Sequence, residues 1–188
     1  MSDLAVYTCP VLARVPGEPA HAAFADLERE VLQDLAQAGR PGLVRVVSPL
    51  ATPLRWPVHV AAAGAPKPTL SVWRDLDAAF AYSYGRGPHR EALRRRREWF
   101  LPLAAPVYVL WYVPTAEAAS HDEAVARLEL LATAGPTPAA FDFRHPFAAD
   151  GMVLDPARFA ALRGDDGQAE RAGRSRPEPL PLRDGTGR

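Results

Sequence analysis

The chain has 188 residues, 22 basic and 22 acidic, for a formal net charge of zero, with 48% hydrophobic and 23% charged residues. That is enough for one domain of ordinary size with a sizeable core, and the charge balance excludes a global field drawing in nucleic acid or an anionic membrane. The single cysteine, Cys9, excludes an internal disulfide and a cysteine-built metal site.

Leu4–Leu12 (LAVYTCPVL) reads as a first strand, with Pro10 pushing it towards an edge or an early end and Cys9 as a small buried hydrophobe. Over Ala20–Ala38 the apolar positions Phe24, Leu27, Val31, Leu35 and Ala38 fall at helical spacing, and Gly39-Arg40-Pro41-Gly42 stops that helix. Leu43–Val47 (LVRVV) is a short second strand. The stretch 48–68, dense in Pro and Ala around Trp56 and His59, is read as a loop insertion, either a long hairpin excursion or a partly ordered flap. Thr69–Trp73 is a third strand, and Asp75 offers an N-cap to the helix that follows. That helix breaks at Gly85-Arg86-Gly87-Pro88 and restarts at once with His89, the run Arg94–Arg97 and the pair Trp99-Phe100.

Pro106–Val113 (PVYVLWYV) is the clearest strand, with Tyr108, Leu110 and Tyr112 on one face and Val107, Val109, Trp111 and Val113 on the other. Ser120–Ala134 is a helix opened by a capping box, Ser120 standing three residues before Glu123. An aromatic piece follows at Ala140–Phe147, then a helical turn or two near Pro156–Leu162. From Arg163 onward the chain cannot bury enough to offset its ordering entropy. The expected organisation is one domain over 1–150 and a largely disordered C-terminal tail over 151–188.

The order is β-α-β-β-α-β with an additional C-terminal helix, an α+β chain with the split pattern of ferredoxin-like domains. Two helices on one face leave the other face of the sheet bare, and a second copy covering it predicts a homodimer. No basic-then-apolar leader precedes residue 20, and no apolar run approaches the ~20 residues of a membrane span. The expectation is a cytoplasmic protein with no membrane partner.

The blocks SVW, FAY, PHREALRRRREWF, PVYVLWYVP, DEAVARLELL and GPTPAAFDFR, from about Leu70 to Arg144, carry a resemblance, with a weaker echo over Leu4–Val47. Together they resemble an uncharacterised bacterial family, a domain of unknown function. That family is similar to the dimeric α/β-barrel superfamily, which also holds the antibiotic-biosynthesis-type monooxygenases. The resemblance implies a dimeric α/β barrel and almost nothing about chemistry; a small-molecule ligand and a place in bacterial secondary metabolism are expectations set beside it. Fold alone assigns no chemistry.

The chemistry-bearing residues concentrate on the restarted helix. An unperturbed imidazole titrates near pH ~6.5, so His89 suits a general acid or base; its structural alternative is to satisfy the break at Gly85–Pro88. Adjacent helical residues advance by about 100°, so one of Arg94–Arg97 is expected to face inward with His89 and Phe100. Such an arginine, Arg97 or Arg94, would hold an oxyanion through its fork; otherwise the run is solvated or pairs across the dimer with Glu91, Glu98 and Asp142. Trp73, Tyr82, Trp99, Phe100 and Trp111 suit a planar apolar ligand, Tyr82, Trp99 and Trp111 sandwiching the ring system.

His121, before Asp122 and Glu123, reads as part of a capping and solvated-charge feature. His145 has no spacing that links it to another ligand. No zinc-type pairing, phosphate loop, dinucleotide fingerprint or serine elbow occurs, so neither a metal nor another cofactor is expected, and nucleic acid is not an expected partner. The function expected is a small-molecule enzyme acting on an apolar oxygenated metabolite, by cofactor-independent monooxygenation or by proton transfer of the isomerase or cyclase type. The alternatives are a haem- or apolar-ligand-binding dimer anchored by His89, haem being bound by some members of the wider superfamily, and a structural or regulatory homodimer.

Overall fold

Period-two alternation sorts the strand residues onto two faces, and both faces are apolar. The computed structural model describes residues 2–13, 19–37, 39–47 and 55–163. Among these, β1 (Asp3–Thr8), β2 (Leu43–Val47), β3 (Thr69–Trp73) and β4 (Tyr108–Val113) form one antiparallel sheet in the order β2-β3-β1-β4. The register sets Ala5 opposite Val72 and Trp111, and Val6 opposite Ser71 and Leu110. The protein is thus an α+β chain whose four-stranded antiparallel sheet is compatible with a ferredoxin-like fold.

Between the strands run α1 (Pro19–Ala36), the short α2 (Val58–Ala61), α3 (Leu76–Tyr84) and α4 (Pro88–Trp99), and α5 (His121–Ala134) follows β4. Asp75 caps α3, its carboxylate accepting from the amide of Ala78 at 2.8 Å, and Ser120 caps α5 by accepting from the amide of Glu123. The break between α3 and α4 is set by Gly87, whose φ of 129° is open to glycine and strained for other residues, and by Pro88 at the first helical position.

The expected bare sheet face is not found. Ala5, Tyr7, Leu70, Val72, Val109, Trp111 and Val113 on one face pack against Ala124, Leu128 and Leu131 of α5 and Val60 of α2. On the other face Leu4, Val6, Trp73 and Leu110 pack against Leu76, Ala79 and Phe80 of α3 and against Phe141, Phe143, Phe147 and Phe159. α5 and the aromatic segment behind it supply apolar surface that the β-α-β-β-α-β pattern leaves out of account. Neither sheet face is therefore left bare to require covering by a second copy. A third cluster joins α1 to α4 through Phe24, Leu27 and Trp99.

The ordered domain also runs beyond the boundary expected at residue 150. Pro156–Leu162 forms a 3-10 helix, and its Phe159, 1% exposed, stacks on Phe80 at 4.1 Å. The tail from residue 164 lies outside the described residues, as does 48–54 of the loop insertion. The described remainder of that insertion packs back on β1's continuation, with Val11 bridging Pro66 and His59 Nε2 at 2.9 Å from the Pro106 carbonyl.

Candidate functional site

His89, the second residue of α4, lies under the end of α3. The last carbonyls of a helix have no intrahelical donor, and the one at Ser83 stands 3.1 Å from His89 Nδ1. A carbonyl only accepts, so Nδ1 carries the proton and Nε2 keeps its lone pair. His89 thus satisfies the helix break, and that contact fixes its tautomer. Burial pushes its imidazole below the ordinary histidine range; the Ser83 carbonyl and the Asp34 carboxylate pull the other way, and Arg40 adds to the depression. The ring is accordingly a neutral base at physiological pH.

Tyr82 lies beside it, ring centroids 4.9 Å apart, and packs on Trp73 at 4.9 Å. The Trp73 indole donates to Ser71 Oγ at 2.9 Å, which fixes the ring on the sheet. The guanidinium of Arg40, from the turn before β2, sits 4.8 Å from the Tyr82 ring centre and pairs with Asp34 at the end of α1, reaching the Asp34 carbonyl as well at 3.0 Å. Both members of this pair are only 19% exposed. Burial raises the Tyr82 phenol well above its ordinary range, Asp34 adding to the rise and Arg40 opposing it, so the phenol stays protonated. Its oxygen is buried with no hydrogen-bond partner among the described residues.

A neutral imidazole nitrogen can accept a proton and a protonated phenol beside it can donate one. Trp73, Tyr82 and His89 are therefore brought together. The other expected members are not. Trp99 and Phe100 pack on Phe24 of α1, at 5.5 and 5.3 Å, and Trp111 lies on the far face of the sheet. A sandwich of Tyr82, Trp99 and Trp111 is thereby excluded, because alternation along β4 sends Trp111 away from α3.

None of the four consecutive arginines turns inward. Arg94 is 70% exposed and reaches Glu91 at 4.0 Å. Arg95 is bound to Glu98 at 2.9 Å and lies over Trp99 at 4.6 Å. Arg96 donates to the Leu93 carbonyl, and Arg97 is exposed. The inward face of α4 belongs to Ala92 and Trp99 instead. Arg40, which the helix-stop reading passed over, is the guanidinium that reaches the His89 corner. Asp142, expected as a cross-dimer acid, accepts from the amides of Arg144 and His145 in its own turn.

His121 is a second departure. It is 8% exposed and sets its ring edge-on to Tyr7 at 6.0 Å, where the Tyr7 hydroxyl, the Trp111 indole nitrogen and His121 Nε2 are all buried without a partner among the described residues. The alternation of β1, which puts Tyr7 opposite Val109 on the α5 face, is the signal that would have located this corner. His145 is exposed and turned to Asp142 at 3.0 Å.

Among the described residues no group of three or more His, Cys, Asp or Glu side chains could hold a metal ion, and no helix is long and apolar enough to cross a membrane. Comparison with the curated proteins and with the solved structures finds no match. A family model described as "Domain of unknown function (DUF3291)" matches residues 3–155, and the chain belongs to that family.

Proposed function

We propose that this protein is a cofactor-independent proton-transfer enzyme of the isomerase or cyclase type, acting on a carbonyl-bearing apolar metabolite at His89 and Tyr82. The observation that carries this reading is the placement of an imidazole whose Nδ1 faces the Ser83 carbonyl beside a buried phenol with no hydrogen-bond partner among the described residues. His89 Nε2 takes the proton from carbon next to the carbonyl, and the C–H electron pair moves through the enolate onto oxygen. The Tyr82 hydroxyl donates to that oxygen, with the positive charge of Arg40 nearby. The imidazolium then returns the proton at another position, or the enolate carbon adds to a second carbonyl carbon of the substrate, whose C=O π pair moves onto oxygen and takes the proton from the imidazolium. If dioxygen adds to the enolate carbon instead and the imidazolium protonates the peroxide formed, cleavage of its O–O bond with loss of the remaining hydrogen on that carbon releases water and leaves a new carbonyl, the substrate supplying the electrons of a cofactor-free monooxygenation. The sheet order β2-β3-β1-β4 is compatible with a ferredoxin-like fold, and the mechanism does not require a second copy.

Haem held by His89 gains less support. Tyr82 stands beside the imidazole at 4.9 Å, and the charged Asp34–Arg40 pair lies in the same corner, unlike an apolar slot for a porphyrin.

Incubation with a panel of apolar ketones and quinones in heavy water, read by mass spectrometry, tests the proposal. Wild-type protein is expected to put deuterium next to the carbonyl of at least one member. His89→Gln should lose about 100-fold or more of that rate and Tyr82→Phe at least about tenfold. Exchange undiminished in a folded His89→Gln protein, or none across the panel, overturns the assignment.

A further inference from the structure

We propose that the seam between the sheet and the start of α5 is a binding site for one buried water molecule, held by Tyr7, Trp111 and His121 on the face of the sheet away from His89. The Tyr7 hydroxyl, the Trp111 indole nitrogen and His121 Nε2 are each buried without a hydrogen-bond partner among the described residues. Tyr7 and Trp111 are 0% exposed and His121 is 8% exposed. Buried polar atoms are paired as a rule, so three orphans on one seam point to a common ligand.

Topology gathers the three side chains. Tyr7 of β1 stands opposite Val109 of β4, so Trp111, two residues further on, is its diagonal neighbour on the same face. His121, the first residue of α5, sets its ring edge-on to Tyr7 with centroids 6.0 Å apart. No direct bond forms among the three polar atoms, and a polar gap wider than a direct bond is where a bridging water belongs. The same core holds short side chains close by along the chain, Cys9 two residues after Tyr7 and Ala119 and Ala124 on either side of His121, in place of branched ones that would close the seam.

The hydrogen-bonding capacities match water. The indole nitrogen only donates, the hydroxyl both donates and accepts, and the imidazole nitrogen does one or the other. Water accepts from Trp111 and meets Tyr7 and His121 in either sense, which makes three bonds, the usual number for a buried water. Burial keeps the Tyr7 phenol and the adjoining Cys9 thiol protonated, so neither brings a negative charge that would call for a cation. A thiol is also a weak hydrogen-bonding group, which leaves the hydroxyl short of a strong partner.

Oxygen-17 relaxation dispersion of the solvent tests the inference on the full chain, because it counts long-held water oxygens and is blind to the exchange of protein protons. The double variant Tyr7→Phe/His121→Leu, which keeps only the Trp111 donor, should lose the contribution of one long-held water. Tyr7→Phe alone removes a single oxygen and keeps the ring, so it carries the test where the double variant fails to fold. It should shorten the residence of that water by about tenfold, the worth of one hydrogen bond. No long-held water in the wild type, or a dispersion that Tyr7→Phe leaves unchanged, overturns the site. The same loss produced by Tyr82→Phe in place of Tyr7→Phe would put the water in the His89 corner and overturn it equally. No step of the experiment reads catalysis, so this site and the proton-transfer reading stand or fall separately.

Discussion

Lowering the pH from about 7.5 to about 5.5 should destabilise the protein through His89, and the size of the effect follows from where the ring sits. Burial holds the folded imidazole below its ordinary range, whereas in the unfolded chain it titrates near pH ~6.5. Between those two values the unfolded chain binds a proton that the folded chain resists, so stability rises with pH. The contribution is fully present above the unfolded value and is lost as pH falls through it towards the folded one. A single proton gives a slope of at most about 1.4 kcal/mol per pH unit, and because the unfolded ring takes up its proton around the middle of this two-unit interval the loss is capped at about 1.4 kcal/mol. Asp34 and the Ser83 carbonyl, both favouring the charged ring, reduce it below that ceiling. Urea unfolding of wild type and His89→Gln at both pH values isolates the term, because the other four histidines, His21, His59, His121 and His145, are common to the two proteins. Glutamine keeps an N–H for the Ser83 carbonyl. The wild type should lose more stability on acidification than the variant; equal losses, or a larger one in the variant, would refute the placement of His89 in a desolvated corner.

Other consequences concern the scaffold that holds this corner. A Cβ on Gly42, whose φ is 76°, would overlap the Cβ of Ala78 in α3, so Gly42→Ala should cost at least about 2 kcal/mol. Ala78→Gly alone should cost about 1 kcal/mol, yet the double variant should recover part of the first loss, with a coupling of about 1–3 kcal/mol in urea unfolding; strict additivity would deny the contact. Phe80→Ala removes a ring stacked on Phe159 at 4.1 Å and should destabilise by about 3–5 kcal/mol, with a change below about 1 kcal/mol arguing against an ordered 3-10 segment at residue 159. Asp75→Ala removes the acceptor for the Ala78 amide and should cost about 1 kcal/mol in thermal unfolding, with Asp75→Asn largely neutral.

Much of the scaffold was legible because its signals are local. Leu43–Val47 and Thr69–Trp73 coincide with β2 and β3, the capping residues Asp75 and Ser120 act as expected, and the break at Gly85–Pro88 separates α3 from α4. The two faces of β4 also follow the alternation of its sequence, with Leu110 and Trp111 in opposite cores. What was not legible depends on contacts distant along the chain. Whether a sheet face is bare depends on where α5 and residues 141–159 fold back, and their apolar content alone does not say which surface they cover. The Asp34–Arg40 pair joins a helix end to a turn, and its place beneath Tyr82 exists only once α3 has docked. His121 sits where a helix-start sequence predicts solvent, and it is the orientation of α5 on the sheet that turns it against Tyr7. Arg94–Arg97 misled because a run of charge has no periodicity, so it cannot indicate an inward face.

The tautomer of His89 tests the central claim most directly. A long-range nitrogen–proton correlation spectrum of uniformly labelled protein at neutral pH, assigned by comparison with His89→Gln, should show Nδ1 protonated and Nε2 bare. An imidazolium at that pH, or a proton on Nε2, would contradict the bond to the Ser83 carbonyl and remove the base from the proposed reaction.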